Sequence, residues 1–283
     1  MADHFPWRAI GGCGRCGTSL LAERIATHPE VAYFQEPFWF CDRNRKVLAY
    51  LRGEVGTDEL RKEMERSLRN LRAGFEEQGD LEARERLEGQ LPASVIRQAI
   101  DLAPLWPRHR VVRLCLARIA VLAGRRYWIE KSPHNVRNAD WIIKVFPGAR
   151  IVHVIREPKD ICASLIHQDW GPPGPYEFVS WYSQVMTEAL RARQRIPDGR
   201  YHGQYMVIEM ETLVRQPHAE LGRVMRFFGI EYENEWLDAA ASWIDPERAH
   251  IGRARCEISP GARRWIDMEC GELYETWRRM ADE

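Results

Sequence analysis

The chain has 283 residues, 45% of them hydrophobic, and its 41 Lys plus Arg against 41 Asp plus Glu leave a formal net charge of zero. That balance provides no global basic field for nucleic acid, and no apolar run approaches the ~20 residues needed to span a bilayer. Met1–Arg8 lacks the charged-then-apolar order of a secretory signal, so the expectation is a soluble, cytoplasmic protein with neither nucleic acid nor membrane among its partners.

In chain order, Trp7–Gly12 reads as a strand feeding a Gly-rich turn, and Thr18–Thr27 as a helix. A helical insertion follows, at about 42–125. Within it Asp58–Arg72 and Leu81–Leu87 are dense in Glu and Arg with i,i+4 opposite charges, which suits the solvated helices of a surface cap; the alternative is a lid over a site. Tyr127–Glu130 is a short strand. Asn135–Phe146 has the apolar spacing of a helix at Ala139, Ile142, Ile143 and Phe146. Arg150–Ile155 (RIVHVI) is the clearest strand, followed by a turn at Glu157–Pro158 and a helix over about Lys159 to Gln168. After the loop Gly171–Pro175 come a long amphipathic helix, Tyr176–Ile196, a strand, Tyr205–Glu209, and a helix, Gln216–Phe228, ended by Gly229. Strands alternating with helices predict one α/β domain over 1–283, a P-loop-type, mostly parallel sheet flanked by helices and carrying helical insertions.

Seven scattered cysteines form no disulfide framework, so reduced thiols are expected. Cys13 and Cys16 make a C-x-x-C, but no second pair or nearby His pair completes a zinc set, and no metal is expected.

Gly12-Cys-Gly-Arg-Cys-Gly-Thr-Ser19 has the frame G-x-x-x-x-G-T-S between a strand and a helix. Its glycines (Gly12, Gly14, Gly17) let backbone N–H groups converge on an anion at the helix N-terminus, with Thr18 and Ser19 adding hydroxyls. A nucleoside triphosphatase has Lys where Thr18 stands, and an apolar strand ending in Asp for magnesium. Here the strand RIVHVI ends in Arg156, which repels Mg²⁺ and suits a phosphate. Arg15 supplies the loop's own positive charge. The competing reading is a strand-helix turn with no ligand.

Further segments resemble the sulfotransferases. Arg156-Glu-Pro-Lys-Asp-Ile-Cys-Ala-Ser164 is similar to their 3′-phosphate-binding segment, R-x-P-x-D-x-x-x-S. Glu130-Lys-Ser-Pro133, Phe146-Pro-Gly-Ala149, Glu211-Thr-Leu-Val-Arg-Gln-Pro217 and Phe227-Phe-Gly-Ile230 follow in the family's order. The resemblance spans most of Ala9–Ile230 and is nearest to the carbohydrate and tyrosylprotein branches. It implies a sulfuryl donor, 3′-phosphoadenosine 5′-phosphosulfate, and a small-molecule, carbohydrate or peptide acceptor with a hydroxyl or amine; oligomeric state is not implied. The donor's phosphosulfate falls to Gly14, Arg15, Cys16, Gly17, Thr18 and Ser19, and its 3′-phosphate to Arg156 and Ser164.

The resemblance also distributes roles. Arg15 and Lys131 stabilise the phosphosulfate. Glu36, in His28-Pro-Glu-Val-Ala-Tyr-Phe-Gln-Glu-Pro-Phe38, matches an "H-P-x-V" followed by Glu, and a carboxylate amid Tyr33, Phe34, Phe38 and Trp39 is expected to be desolvated, as suits a base. His134 is the rival base. Of Arg253, Arg255 and Arg263, one or more closes over the nucleotide, and the spacing leaves open which. Met210 stands where the family carries Tyr. The alternatives to a sulfotransferase are a small-molecule kinase with an altered P-loop and a non-catalytic nucleotide-binding protein of this fold.

Overall fold

A computed structural model describes residues 6–40, 46–88, 90–197, 203–247 and 249–282. The N-terminal residues 1–5 and the first residues of the insertion, 42–45, lie outside the described residues. Five strands form one sheet: β1 (Arg8–Gly12), β2 (Val31–Gln35), β3 (Tyr127–Lys131), β4 (Arg150–Ile155) and β5 (Tyr205–Glu209). Their order is β2-β3-β1-β4-β5 and every pairing is parallel. The chain leaves β1 toward β2 on one side and β4 toward β5 on the other, so the carboxyl ends of β1 and β4 border the crevice where such sheets bind ligands.

The strands are buried on both faces, and the two-residue period sorts their side chains into two cores. Ile10, Ile129, Val152 and Val154 enter one, with helices α1 (Thr18–Ala26), α8 (Pro158–Leu165), α9 (Pro175–Gln194), α11 (Pro217–Phe228) and α14 (Pro260–Ala281). Ala9, Trp128 and Ile151 enter the other, with α2 (Lys46–Arg52), α3 (Thr57–Glu77), α5 (Gln90–Asp101), α6 (Arg108–Leu122) and α7 (Ala139–Val145). The remaining α-helices among the described residues are α4 (Leu81–Arg86), α10 (Met210–Arg215), α12 (Asn234–Ser242) and α13 (Ala254–Glu257). No helix among the described residues is long and apolar enough to cross a membrane.

Three elements differ from the sequence expectation. The strand β2 was not anticipated, because VAYFQ is a short run buried almost throughout and shows no alternation. The charged insertion is not merely solvated. Helix α3 pairs Lys62 with Glu59 at 2.6 Å on its wet side but buries Leu60, Met64, Leu68, Leu71 and Phe75 on the other. The helix expected over Asn135–Phe146 is split. Pro133–Asn138 is a 3₁₀ turn, held by Asn135 Nδ2 donating to the Ile10 carbonyl at 3.1 Å, and α7 begins only at Ala139.

Four of the eleven tryptophans are core material. Trp7, Trp39, Trp128 and Trp277 are fully buried, and Trp7 meets Trp128 edge-on at 4.9 Å between ring centroids. Beneath them Glu130 is sealed from water, with Trp7 Nε1 donating to it at 3.4 Å. Burial raises its carboxyl from an ordinary 4.5 to about 7, against smaller opposing contributions from hydrogen bonds to Asn135, Trp7 and Ser132. Between those two values the folded chain keeps a proton that the unfolded chain has lost. This contribution to stability is therefore complete below pH 4.5 and fades as pH rises through 7, by about 3 kcal/mol. Urea midpoints at pH 5 and pH 8 should show Glu130→Gln freed of that decline; equal pH dependence in both proteins would refute the assignment.

Candidate active site

The Gly-rich loop begins where β1 runs out. Gly12 lies in register with Val154 of β4, and a Cβ on Gly12 would collide with the Val154 carbonyl oxygen and the Cys16 sulfur. Gly12→Ala should cost about 2 kcal/mol through overpacking, read as a lower denaturation midpoint; an unchanged midpoint would show that the loop can relax. Gly17 caps α1 with φ 100°, the left-handed region, and a Cβ there would strike the Met210 sulfur. Met210 thus fills the space against the loop at the position where the family pattern has Tyr.

Four non-glycine residues among those described have left-handed backbone: Arg15 (φ 66°), Glu36 (φ 45°), Phe38 (φ 53°) and His250 (φ 51°). All four line one cavity of about 870 Å³ at the carboxyl ends of β1 and β4. Each costs on the order of 1–2 kcal/mol, a strain that collects at functional sites.

Cations and hydroxyls converge there. Arg15 leans out of the loop and donates through Nε to Ser164 Oγ at 2.9 Å. Arg156, at the end of β4, donates through Nη1 to the Arg15 carbonyl at 3.3 Å and through Nη2 to the carbonyls of Ala249 (3.1 Å) and His250 (2.9 Å). Its buried Nε has no protein partner. Burial lowers the pKa of Arg156, with Asp160 and Glu211 working the other way, and the guanidinium stays cationic. Ser164 lies in the last turn of α8, which Pro158 opens immediately after Arg156 and Glu157. Two turns then bring Ser164 back to the same face, with Arg15 touching both groups.

On the other side of the loop, Lys131 is 1% exposed and donates through Nζ to Ser19 Oγ at 3.0 Å and to Glu36 Oε1 at 2.5 Å. The Glu36 amide donates to the Lys131 carbonyl at 2.8 Å, and the Phe38 amide to Ser132 Oγ at 3.1 Å. Helix α3 supports this turn from outside through Arg66, which donates to the Pro37 carbonyl at 3.0 Å. The desolvation expected of Glu36 is not observed. Tyr33 and Phe34 turn into the two cores, whereas the Glu36 side chain keeps 41% exposure beside Lys131.

Other expected residues are placed as follows. His134 lines the cavity with its ring 5.7 Å from Phe38. Arg253 lines it too, paired with Glu257 at 2.9 Å. Arg255 and Arg263 lie outside that lining; Arg263 instead donates to the Arg255 carbonyl at 2.9 Å. Asp160 fastens this C-terminal segment to α8, accepting from the amides of Gly252 (2.6 Å) and Ala254 (3.0 Å). Cys13 and Cys16 are buried and share a thiol hydrogen bond, which together with burial raises Cys13 well above an ordinary thiol. Among the described residues no third His, Cys, Asp or Glu joins them in a metal-binding group. No described residue of the insertion lines the cavity. Sequence reasoning missed Trp170, Trp181 and Trp243, which do line it; the available signal was Trp170 in the polar turn Gln168-Asp-Trp-Gly171, an unusual place for a core residue.

The five-stranded parallel sheet thus carries a Gly-rich loop after β1 and the Arg156–Ser164 segment after β4. The sheet superimposes on the sulfotransferase domain of the Synechococcus PCC 7002 olefin synthase with TM-score 0.54 and 18% identity, covering 96% of this chain and 94% of that one. A sulfotransferase from Alicyclobacillus acidocaldarius gives TM-score 0.52 and 14% identity, covering 98% and 96%. In sequence, the chain is 25% identical over 248 residues to the nodulation protein NoeE of Sinorhizobium fredii (strain NBRC 101917 / NGR234), covering 78% of this chain and 49% of that protein. It therefore spans about half the length of that curated relative. The profile described as "Sulfotransferase family" matches residues 8–234, which take in β1 with its loop, the Glu36–Lys131 pair and the Arg156–Ser164 segment; the chain belongs to the sulfotransferase family.

Proposed function

We propose that the chain moves a sulfuryl group from 3′-phosphoadenosine 5′-phosphosulfate to a hydroxyl or amine of its acceptor. The observation that carries this reading is the pair of cationic clusters joined by Arg15 in one cavity, where the buried Nε of Arg156 lacks a protein partner. A donor with phosphate groups at both ends of an adenosine fits two such clusters. Gly14–Ser19 would hold the phosphosulfate at the N-terminus of α1, and Arg156 with Ser164 the 3′-phosphate. Trp243 is 68% exposed and lines the same cavity, offering a face to the adenine.

The donor supplies an activated sulfuryl group whose departure leaves a phosphate. Glu36 accepts the proton of the acceptor group as its oxygen or nitrogen bonds to sulfur. Lys131 and Arg15 meet the charge left on the phosphate oxygen when the bridging S–O bond breaks. Lys131 already bridges Glu36 and Ser19, so base and anion cradle are set at fixed separation. Glu36 is favoured as base because Lys131 ties it to the loop through Ser19. Calorimetric titration with 3′-phosphoadenosine 5′-phosphate, the product nucleotide, tests the donor site. Binding at least tenfold tighter than adenosine 5′-phosphate is expected, and equal affinities would refute the 3′-phosphate assignment.

A further inference from the structure

The same cavity has a second wing that the donor's anion sites leave unused, and its chemistry is different. Trp170 is 56% exposed, while four other tryptophans are fully buried, and it lies against the loop: a Cβ on Gly14 would come within 3.2 Å of its ring. Trp181 is 3.7 Å from that same point. Gly14 therefore keeps the loop thin where two indoles lie over it, one residue before Arg15. Trp181 and Val185 are one turn apart on α9 and both line the cavity. Phe38 and His134, which line the same cavity with Glu36, form an edge-to-face pair. On this wing Arg137, which lines the cavity, is paired through Nε with Glu188 at 2.6 Å.

We infer that Trp170 and Trp181 form the acceptor platform, selecting an uncharged molecule that presents the flat apolar face of a ring and a nucleophilic group at its edge. This rests on the transfer reading above. An exposed indole held against the phosphate loop is unfavourable in water and becomes favourable when a ring covers it. Phe38, His134 and Glu36 line the same cavity, so a ring held on the indoles lies in the cavity that also holds the base. An arene and the C–H face of a pyranose share this chemistry.

The test is titration of the protein saturated with 3′-phosphoadenosine 5′-phosphate, using 2-naphthol as the arene and cellotriose as the sugar. At least one should bind with a submillimolar Kd that changes less than twofold between 50 and 500 mM NaCl. Naphthol alone assigns an arene, cellotriose alone a sugar, and both a site that reads the face only. Trp170→Ala should weaken that binding about tenfold (about 1.4 kcal/mol) and Trp170→Phe restore it to within threefold, with nucleotide affinity changed less than twofold in each. Nucleotide binding with neither ring bound, ring binding that falls more than tenfold with salt, or ring binding indifferent to Trp170→Ala would overturn the platform. Ring binding without nucleotide binding would instead refute the donor reading.

Discussion

Glu36→Gln should lower kcat by 10²–10⁴, the range a positioned general base contributes, while affinity for 3′-phosphoadenosine 5′-phosphate stays within about threefold. The geometry separates the two effects. Glu36 touches Lys131 and not the loop, whereas Lys131 Nζ reaches Ser19. An amide at position 36 still accepts from Lys131 but cannot take a proton from the acceptor. His134→Ala should retain kcat to within about tenfold, because Glu36 is the proposed base and the His134 ring packs edge-on against Phe38. A Glu36→Gln enzyme within fivefold of the parent would remove Glu36 from the chemistry.

Arg156→Ala should weaken 3′-phosphoadenosine 5′-phosphate at least tenfold. A charge-assisted hydrogen bond to a buried anion is worth about 1.5–3 kcal/mol, which is about 10- to 150-fold. The substitution also removes the hydrogen bonds from Arg156 to the carbonyls of Arg15, Ala249 and His250, so a lower Tm is expected with it. Adenosine 5′-phosphate separates these consequences: its affinity should change less than threefold if Arg156 serves the 3′-phosphate, and should fall in parallel if Arg156 only holds the fold. Arg156→Lys keeps a charge without the planar fork and should recover only part of the loss.

The parts of the site legible in the sequence were those written contiguously. The loop Gly12–Ser19 and the segment Arg156–Ser164 each sit after one strand and at one helix, so local spacing was enough to name them. What stayed hidden depends on contacts between distant segments. Glu36 meets Lys131 across 95 residues and Phe38 meets Ser132 across 94. Aromatic neighbours in sequence suggested a desolvated Glu36, but the left-handed turn at φ 45° ends the strand alternation and leaves its side chain half-exposed. The i,i+4 charge pairs of the Glu- and Arg-rich insertion mark the solvated side of its helices, while one stripe of α3 carries a core. The fold class was readable because RIVHVI, YWIEK and YMVIE are short, nearly continuous apolar runs separated by helical periods. The aromatic wing was not, since eleven tryptophans look alike until their burial is known.

The most direct measurement of the central claim is transfer of labelled sulfur. The protein is incubated with ³⁵S-labelled 3′-phosphoadenosine 5′-phosphosulfate and a fractionated extract, in parallel with Glu36→Gln. A labelled product formed by the parent protein and reduced at least a hundredfold in the variant is the predicted result. Tight binding of the donor with no labelled product in any fraction, or transfer of the γ-phosphate of ATP to an acceptor in its place, would contradict it.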